Sequence, residues 1–150
     1  MYFCDEHRGI TRYYEILKSS VCEKYQLRQM EYDILMFLYN NPQHNTAADI
    51  VRHRKSTKSH VSMSLKVLEE KGLIERRIDK DSKKRVEIYI LDSADDIIKD
   101  GIRVQKQFAK DMFNGLTDDE IALCKQIFKK ICNNAEACIK AANKKVPAEK

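Results

Sequence analysis

Val61, Leu65 and Leu68 stand at i, i+4 and i+7, Gly72 follows four residues after the last of them, and two strand-like runs come directly behind. The apolar spacing predicts a helix with one buried face, and Gly72 supplies its stop, because glycine takes positive φ without steric cost. Leu73 to Ile78 and Arg85 to Leu91 show strand-type content, and the second run alternates β-branched residues with other types. Between these runs, Asp79 to Lys84 is a polar tip. Upstream, Thr46 sits three residues before Asp49, so its hydroxyl can cap a short helix whose apolar side is Ala48, Ile50 and Val51. Ser56 is the next capping candidate.

Two short helices followed at once by a two-stranded hairpin make a winged helix-turn-helix, and the flanking sequence is helical as well. Ile10, Tyr13, Tyr14, Leu17, Val21 and Tyr25 recur at helical spacing. Met30 to Tyr39 holds the apolar block Ile34, Leu35, Phe37 and Leu38, and ends at Asn40-Asn41-Pro42. After Asp92-Ser93 the pattern resumes with Ile98, Phe108 and Met112 and stops at Asn114-Gly115. Thr117 and Glu120 then form a capping box. Behind it Ile121, Cys124, Phe128, Ile131, Ala135, Cys138 and Ala142 make one long apolar stripe, with Ile127 beside it. A stripe of that length needs a partner surface, which a second subunit supplies more readily than the one remaining large helix. The fold class expected is mainly α with a small two-stranded β-wing.

Charge separates these parts. The 150 residues carry a net +5, yet residues 52–85 alone hold 12 Lys+Arg and five Asp+Glu, a local +7. The other 116 residues therefore sum to 5 − 7 = −2. Positive charge concentrated on one short segment is the footprint of a nucleic-acid binder.

With Val61, Leu65 and Leu68 inward, a 100° step places Ser56, Ser59, Ser62, Met63 and Lys66 on or beside the opposite face, with Thr57 at the first turn and Lys58 and His60 on the flanks. Short hydroxyls, one thioether and a cation near a helix N-terminus suit a reader of the major groove, where the thioether can meet a thymine methyl. The same serines also suit simple capping of a solvated helix. Arg54 and Lys55, next to Arg52 and His53, stand immediately before this helix, and like charges so dense repel unless a polyanion neutralises them. Lys80, Lys83, Lys84 and Arg85 at the hairpin tip, with Arg76 and Arg77 on the entering strand, either contact phosphates and the minor groove or protect a strand edge.

Other chemistry finds little footing. GxSxG, HExxH and phosphate-loop motifs are missing, so no enzyme is expected. The five Cys are scattered at 4, 22, 124, 132 and 138 without a CxxC pair, and the four His (7, 44, 53 and 60) never pair at i, i+4, so neither disulfides, a metal nor another cofactor is expected. Cys124 and Cys138 belong to the apolar stripe and read as packed residues, while a thiol sensor at Cys22 or Cys4 is the sharper alternative. No apolar run is long enough to span a bilayer and the start does not read as a signal peptide, so a cytoplasmic protein without membrane contact is expected.

Three stretches, MEYDILMFLYNNP, TAADIVRHRKSTKSHVSMSLKVLEEKGLIERRIDKDSKKRVEIYIL and FNGLTDDEIALCKQIFKKI, resemble the multiple antibiotic resistance regulator (MarR) family over about residues 10–140. Most specific are Leu68 to Arg76, joining helix to wing, and Gly115 to Glu120, opening the last helix. The resemblance implies a homodimeric winged helix-turn-helix transcription regulator, commonly a repressor, on double-stranded DNA. Its recognition helix would be Thr57 to Lys71 and its wing Asp79 to Arg85. It further implies one domain over 1–150, with a DNA-binding lobe over 30–92 and dimerisation helices over 8–27 and 94–143, and a small lipophilic or phenolic effector bound between them. Redox-sensing regulators and winged-helix protein-interaction modules are the alternatives.

The sequence departs from the family in the wing. Ser82 stands where an Asp is usual and Lys84 where an Arg is usual, which keeps the charge but loses the planar fork. The position of the family's peroxide-sensing Cys falls near His7, and there is no His after His60 to form the pair used by zinc-sensing members.

Overall fold

The most apolar stretch of the chain becomes its central helix in the computed structural model, which describes residues 7–82 and 84–144. Helix α2 (Gln29–Asn40) buries Tyr32, Ile34, Leu35, Met36 and Leu38. These residues lie on more than one of its sides, so α2 has to be surrounded. It follows α1 (Arg8–Tyr25) and precedes α3 (Ala47–Arg54), α4 (Lys58–Glu70) and a hairpin of β1 (Ile74–Ile78) and β2 (Val86–Ile90). A short 3-10 turn, Asp92–Ala94, leads into α5 (Asp95–Met112), and α6 (Asp118–Lys144) comes last. Tyr32, Ile34, Leu35, Ile50, Val61, Leu65, Leu68 and Ile74 are each less than 2% exposed. Burying side chains of this size contributes roughly 1.5–3 kcal/mol apiece, so these residues hold α2, α3, α4 and the base of the hairpin as one core.

The helix ends follow the local chemistry. Thr46 and Asp49 form a reciprocal box at the start of α3: the Asp49 N–H donates to the Thr46 hydroxyl at 3.2 Å, and the Thr46 N–H to the carboxylate at 3.3 Å. Gly72 takes φ +67 behind α4, and the Leu73 N–H turns back to the Leu68 carbonyl at 3.0 Å. Thr117 and Glu120 make the expected box at α6, where the Glu120 N–H donates to Thr117 Oγ1 at 3.2 Å and the Thr117 N–H to Glu120 at 2.8 Å. One expectation is corrected. The cap of α4 is Thr57, which accepts from the His60 N–H at 3.3 Å, while Ser56 turns inward and its hydroxyl reaches Met30 Sδ at 3.9 Å.

The strands pair antiparallel with Ile74 opposite Ile90, Arg76 opposite Ile88 and Ile78 opposite Val86. Side chains alternate between faces, so these three pairs share one face. Its burial fades along the hairpin, from Ile74 at 1% exposed to Ile78 at 66%. The hairpin is anchored at its base, where the Ile88 N–H donates to the Asn45 carbonyl at 2.8 Å and the Leu91 N–H to Leu73 at 3.0 Å. It reaches into solvent at its tip.

The chain divides into two compact units, one up to Ala109 and one from Lys110 onward. In the second unit α6 has no buried residue: Leu123, Ile127, Phe128, Ile131 and Ile139 are all exposed. Cys124 and Cys138, expected at packed positions, are exposed in the single chain together with Phe128, Ile131, Ala135 and Ala142 of their stripe.

Candidate nucleic-acid interface

Helix α4 buries Val61, Ser64, Leu65 and Leu68 and turns Lys58, Ser59, His60, Ser62, Met63 and Lys66 outward. The inward set follows the apolar spacing, and Ser64 fits among it because a small side chain can share a helix–helix seam. Met63 is 59% exposed, so an apolar, adaptable group is held out in water with hydroxyls at Ser59 and Ser62 on the same exposed side. Of the predicted contact hydroxyls, Thr57 caps the helix and Ser56 is half-buried against Met30.

The cations of the basic segment fall into two sets. Arg52 pairs with Asp49 at 3.0 Å, Arg54 with Asp33 at 2.7 Å, Lys66 with Glu70 at 3.8 Å and Lys71 with Glu31 at 3.7 Å. Arg76 is held by Glu69 at 2.5 Å, Arg77 by Glu75, and Arg85 by Glu87 at 3.3 Å. Arg77 also lies over the Tyr89 ring, 4.6 Å from its centroid. Among the described residues Lys55, Lys58, Lys80 and Lys84 have no acidic partner. Lys83 lies outside the described residues. Sequence alone counted all these charges together, because the pairing depends on which acids the fold brings close.

The four open lysines lie at the hairpin tip and at the N-terminal end of α4. Lys55 and Lys58 flank its first turn, and Lys80 and Lys84 sit at the hairpin tip. Between α3 and α4 the small Ala47 and Ala48 leave an apolar cleft of about 450 Å³, with Arg52, Lys58 and Arg76 around it. A second, more open cleft of about 680 Å³ lies between the first turn of α3 and the wing, lined by His44, Thr46, Lys84 and Arg85. Both clefts put positive charge at their edges. Thr46 and Arg52 hold the Asp49 carboxyl below its ordinary range, chiefly through the Thr46 hydroxyl, so the one acid at this end of α3 stays ionised and paired.

No cluster of His, Cys, Asp and Glu suited to a metal ion occurs among the described residues. No helix among them is long and apolar enough to cross a membrane. Cys22 is buried on α1, and burial pushes its thiol up, away from the thiolate that redox sensing needs. Cys4 lies outside the described residues.

Residues 25–85, which carry α2 to the wing tip, match the model of the MarR family. None of the curated proteins matches the chain in sequence. Among solved structures, the MepR–DNA complex of S. aureus is 21% identical, covers 89% of this chain and 96% of its own, and superposes with a TM-score of 0.73. The transcriptional regulator SlyA is 19% identical over 95% of this chain and 99% of its own, with a TM-score of 0.78. MarR itself is 18% identical over 96% of this chain and 95% of its own, with a TM-score of 0.70. The chain thus matches the MarR family model over its winged lobe and shares the fold of these solved winged-helix structures along nearly its whole length.

Proposed function

We propose that the protein is a repressor that binds a pseudo-palindromic operator as a homodimer, with α4 in the major groove and the wing over the flanking minor groove. The observation that carries this reading is the exposed face of α4, with Ser59, Ser62 and Met63 on it, together with the open lysines 55 and 58 at its start and 80 and 84 at the hairpin tip. Phosphate contacts from these lysines and from Lys83 supply affinity in any sequence. Ser59, His60, Ser62 and Met63 supply discrimination at base edges. MepR has been solved bound to DNA, which supports the same use of this fold here.

Dimer formation is supported by the exposed stripe of α6, because a monomer rarely leaves so much contiguous apolar surface uncovered. Two copies would place their α4 helices about one turn of duplex apart, roughly 34 Å. A cleft of about 390 Å³ lined by Ile10, Tyr14 and Phe108 supports a small lipophilic or phenolic effector. Nearby, burial holds the Tyr32 hydroxyl un-ionised, and it has no hydrogen-bond partner among the described residues.

The test is selection of duplexes from a random pool, followed by titration of the selected and scrambled duplexes at two salt concentrations. A specificity ratio of at least about 10³ supports the reading, because regulators exceed their own non-specific binding by that much. Equal affinity for both duplexes would reduce the protein to a non-specific binder. Met63→Ala is expected to change the preference among operator variants at one base position, and a uniform loss across variants would assign Met63 to packing alone.

A further inference from the structure

Lys55 joins α3 to α4 in the left-handed region, at φ 50 and ψ 37. A residue other than glycine holds that conformation only where its surroundings fix it. Its two neighbours are both gripped by one face of α2. Before it, Arg54 Nη2 donates to Asp33 Oδ2 at 2.7 Å, and after it, the Ser56 hydroxyl reaches Met30 Sδ at 3.9 Å. Met30 and Asp33 are three residues apart, so they share that face.

Asp33 is itself held from the other side. Lys18 of α1 is 5% exposed, and its ammonium donates to both Asp33 oxygens, at 2.9 and 3.1 Å. The Tyr14 ring lies 5.7 Å from the same ammonium. A buried side-chain nitrogen needs such a hydrogen-bonding partner, so the Lys18–Asp33 contact is fixed as long as α1 is in place. One carboxylate thus joins α1, α2 and the turn that starts α4.

We propose that Asp33 is a positioning residue for DNA recognition: through Arg54 it sets the turn that aims α4, and through Lys18 it ties that setting to α1. Arg54 then acts inside the protein, and phosphate contact falls to the open lysines. The inference rests on the DNA-binding reading above. Wild-type protein that shows no preference for a selected duplex defeats that reading, whereas a normal wild type with insensitive variants defeats only this one.

Two variants of the full chain test it, each titrated against the selected and scrambled duplexes across a salt series. Arg54→Gln leaves the Lys18–Asp33 pair in place. It is expected to lower the specificity ratio about tenfold while leaving the salt slope unchanged, because an Arg54 held against Asp33 meets no phosphate and so releases no counterion from DNA. Asp33→Asn is expected to lower the ratio by a similar factor but to steepen the slope by about one per subunit, because Arg54 becomes free to meet a phosphate. Simple loss of structure would not steepen a slope. If Asp33→Asn melts early because Lys18 is stranded, the Lys18→Met/Asp33→Asn pair removes both charges and carries the same expectation. A flatter slope with an unchanged ratio in Arg54→Gln would make Arg54 a phosphate contact and overturn the proposal, as would an unchanged ratio in both variants.

Discussion

Gly101 of α5 lies against Met36 of α2, with no space for a Cβ before the Met36 thioether. Both residues are buried, and Gly101 is the only glycine inside α5. A glycine within a helix costs about 1 kcal/mol relative to alanine, and here close packing of two helices explains its presence. Gly101→Ala recovers that propensity but forces Met36 out of its rotamer, and overpacking of this kind costs about 1–3 kcal/mol. The expected net effect is a loss of up to about 2 kcal/mol in urea unfolding. In a Met36→Ala background the clash is gone, and the same Gly101→Ala change is expected to stabilise by up to about 1 kcal/mol. A loss of equal size in both backgrounds would refute the packing explanation.

The sorting of cations into held and open sets predicts which ones DNA feels. Lys58→Ala and Lys84→Ala are each expected to weaken binding to all duplexes about equally and to flatten the salt slope by about one per subunit. Arg76→Ala and Arg77→Ala remove charges already paired with Glu69 and Glu75, so their slopes are expected to stay near that of the wild type. Slopes that fall equally for all four variants would show that the ion pairs break on binding.

The fold was legible in the sequence wherever one local rule acted alone. The i, i+4, i+7 spacing of Val61, Leu65 and Leu68, the stop at Gly72 and the boxes at Thr46 and Thr117 all follow from backbone hydrogen bonding and apolar burial. Ser56 and Thr57 show where that ends. Both are good capping residues one position apart, and what selected Thr57 was the tertiary contact of Ser56 with Met30, 26 residues upstream. The candidate site was legible as a charged segment and as an exposed helix face, but the paired state of its cations was not. Arg54 depends on Asp33 and Lys71 on Glu31, and no spacing rule links residues of separate helices.

Asp49 gives the lobe a predictable acid limit. The Thr46 hydroxyl, then Arg52 and His44 more weakly, hold its carboxyl below the ordinary 3.8. A depressed carboxyl contributes stability that is fully present above its unfolded value and is lost as the pH falls through the folded one. Stability contributed by this box is therefore expected to be intact above about pH 4 and to fade below 3.8. Thr46→Ala removes the largest cause and the cap together. It is expected to cost about 1 kcal/mol at neutral pH and to bring the Asp49 titration, followed by NMR, back toward 3.8. An unmoved titration would mean that Arg52 or the helix dipole, rather than the hydroxyl, sets the carboxyl.

The apolar stripe of α6 carries the prediction on assembly. Phe128 is 63% exposed and stands between Ile127, at 48%, and Ile131, at 42%. Apolar area removed from water stabilises by roughly 25 cal/mol per Å², and a two-fold interface counts every such residue twice. Phe128→Asp places a charge in that stripe in both copies, where it would be desolvated without a partner. Sedimentation is expected to show a dimer for the wild type and a shift toward monomer for Phe128→Asp at micromolar protein. The lobe up to Ala109 has its own core, so the variant's far-ultraviolet circular dichroism is expected to stay helical. Operator affinity should then fall by far more than any single lysine variant causes, because a monomer reads one half-site only. A Phe128→Asp protein that remains dimeric would move the interface away from α6.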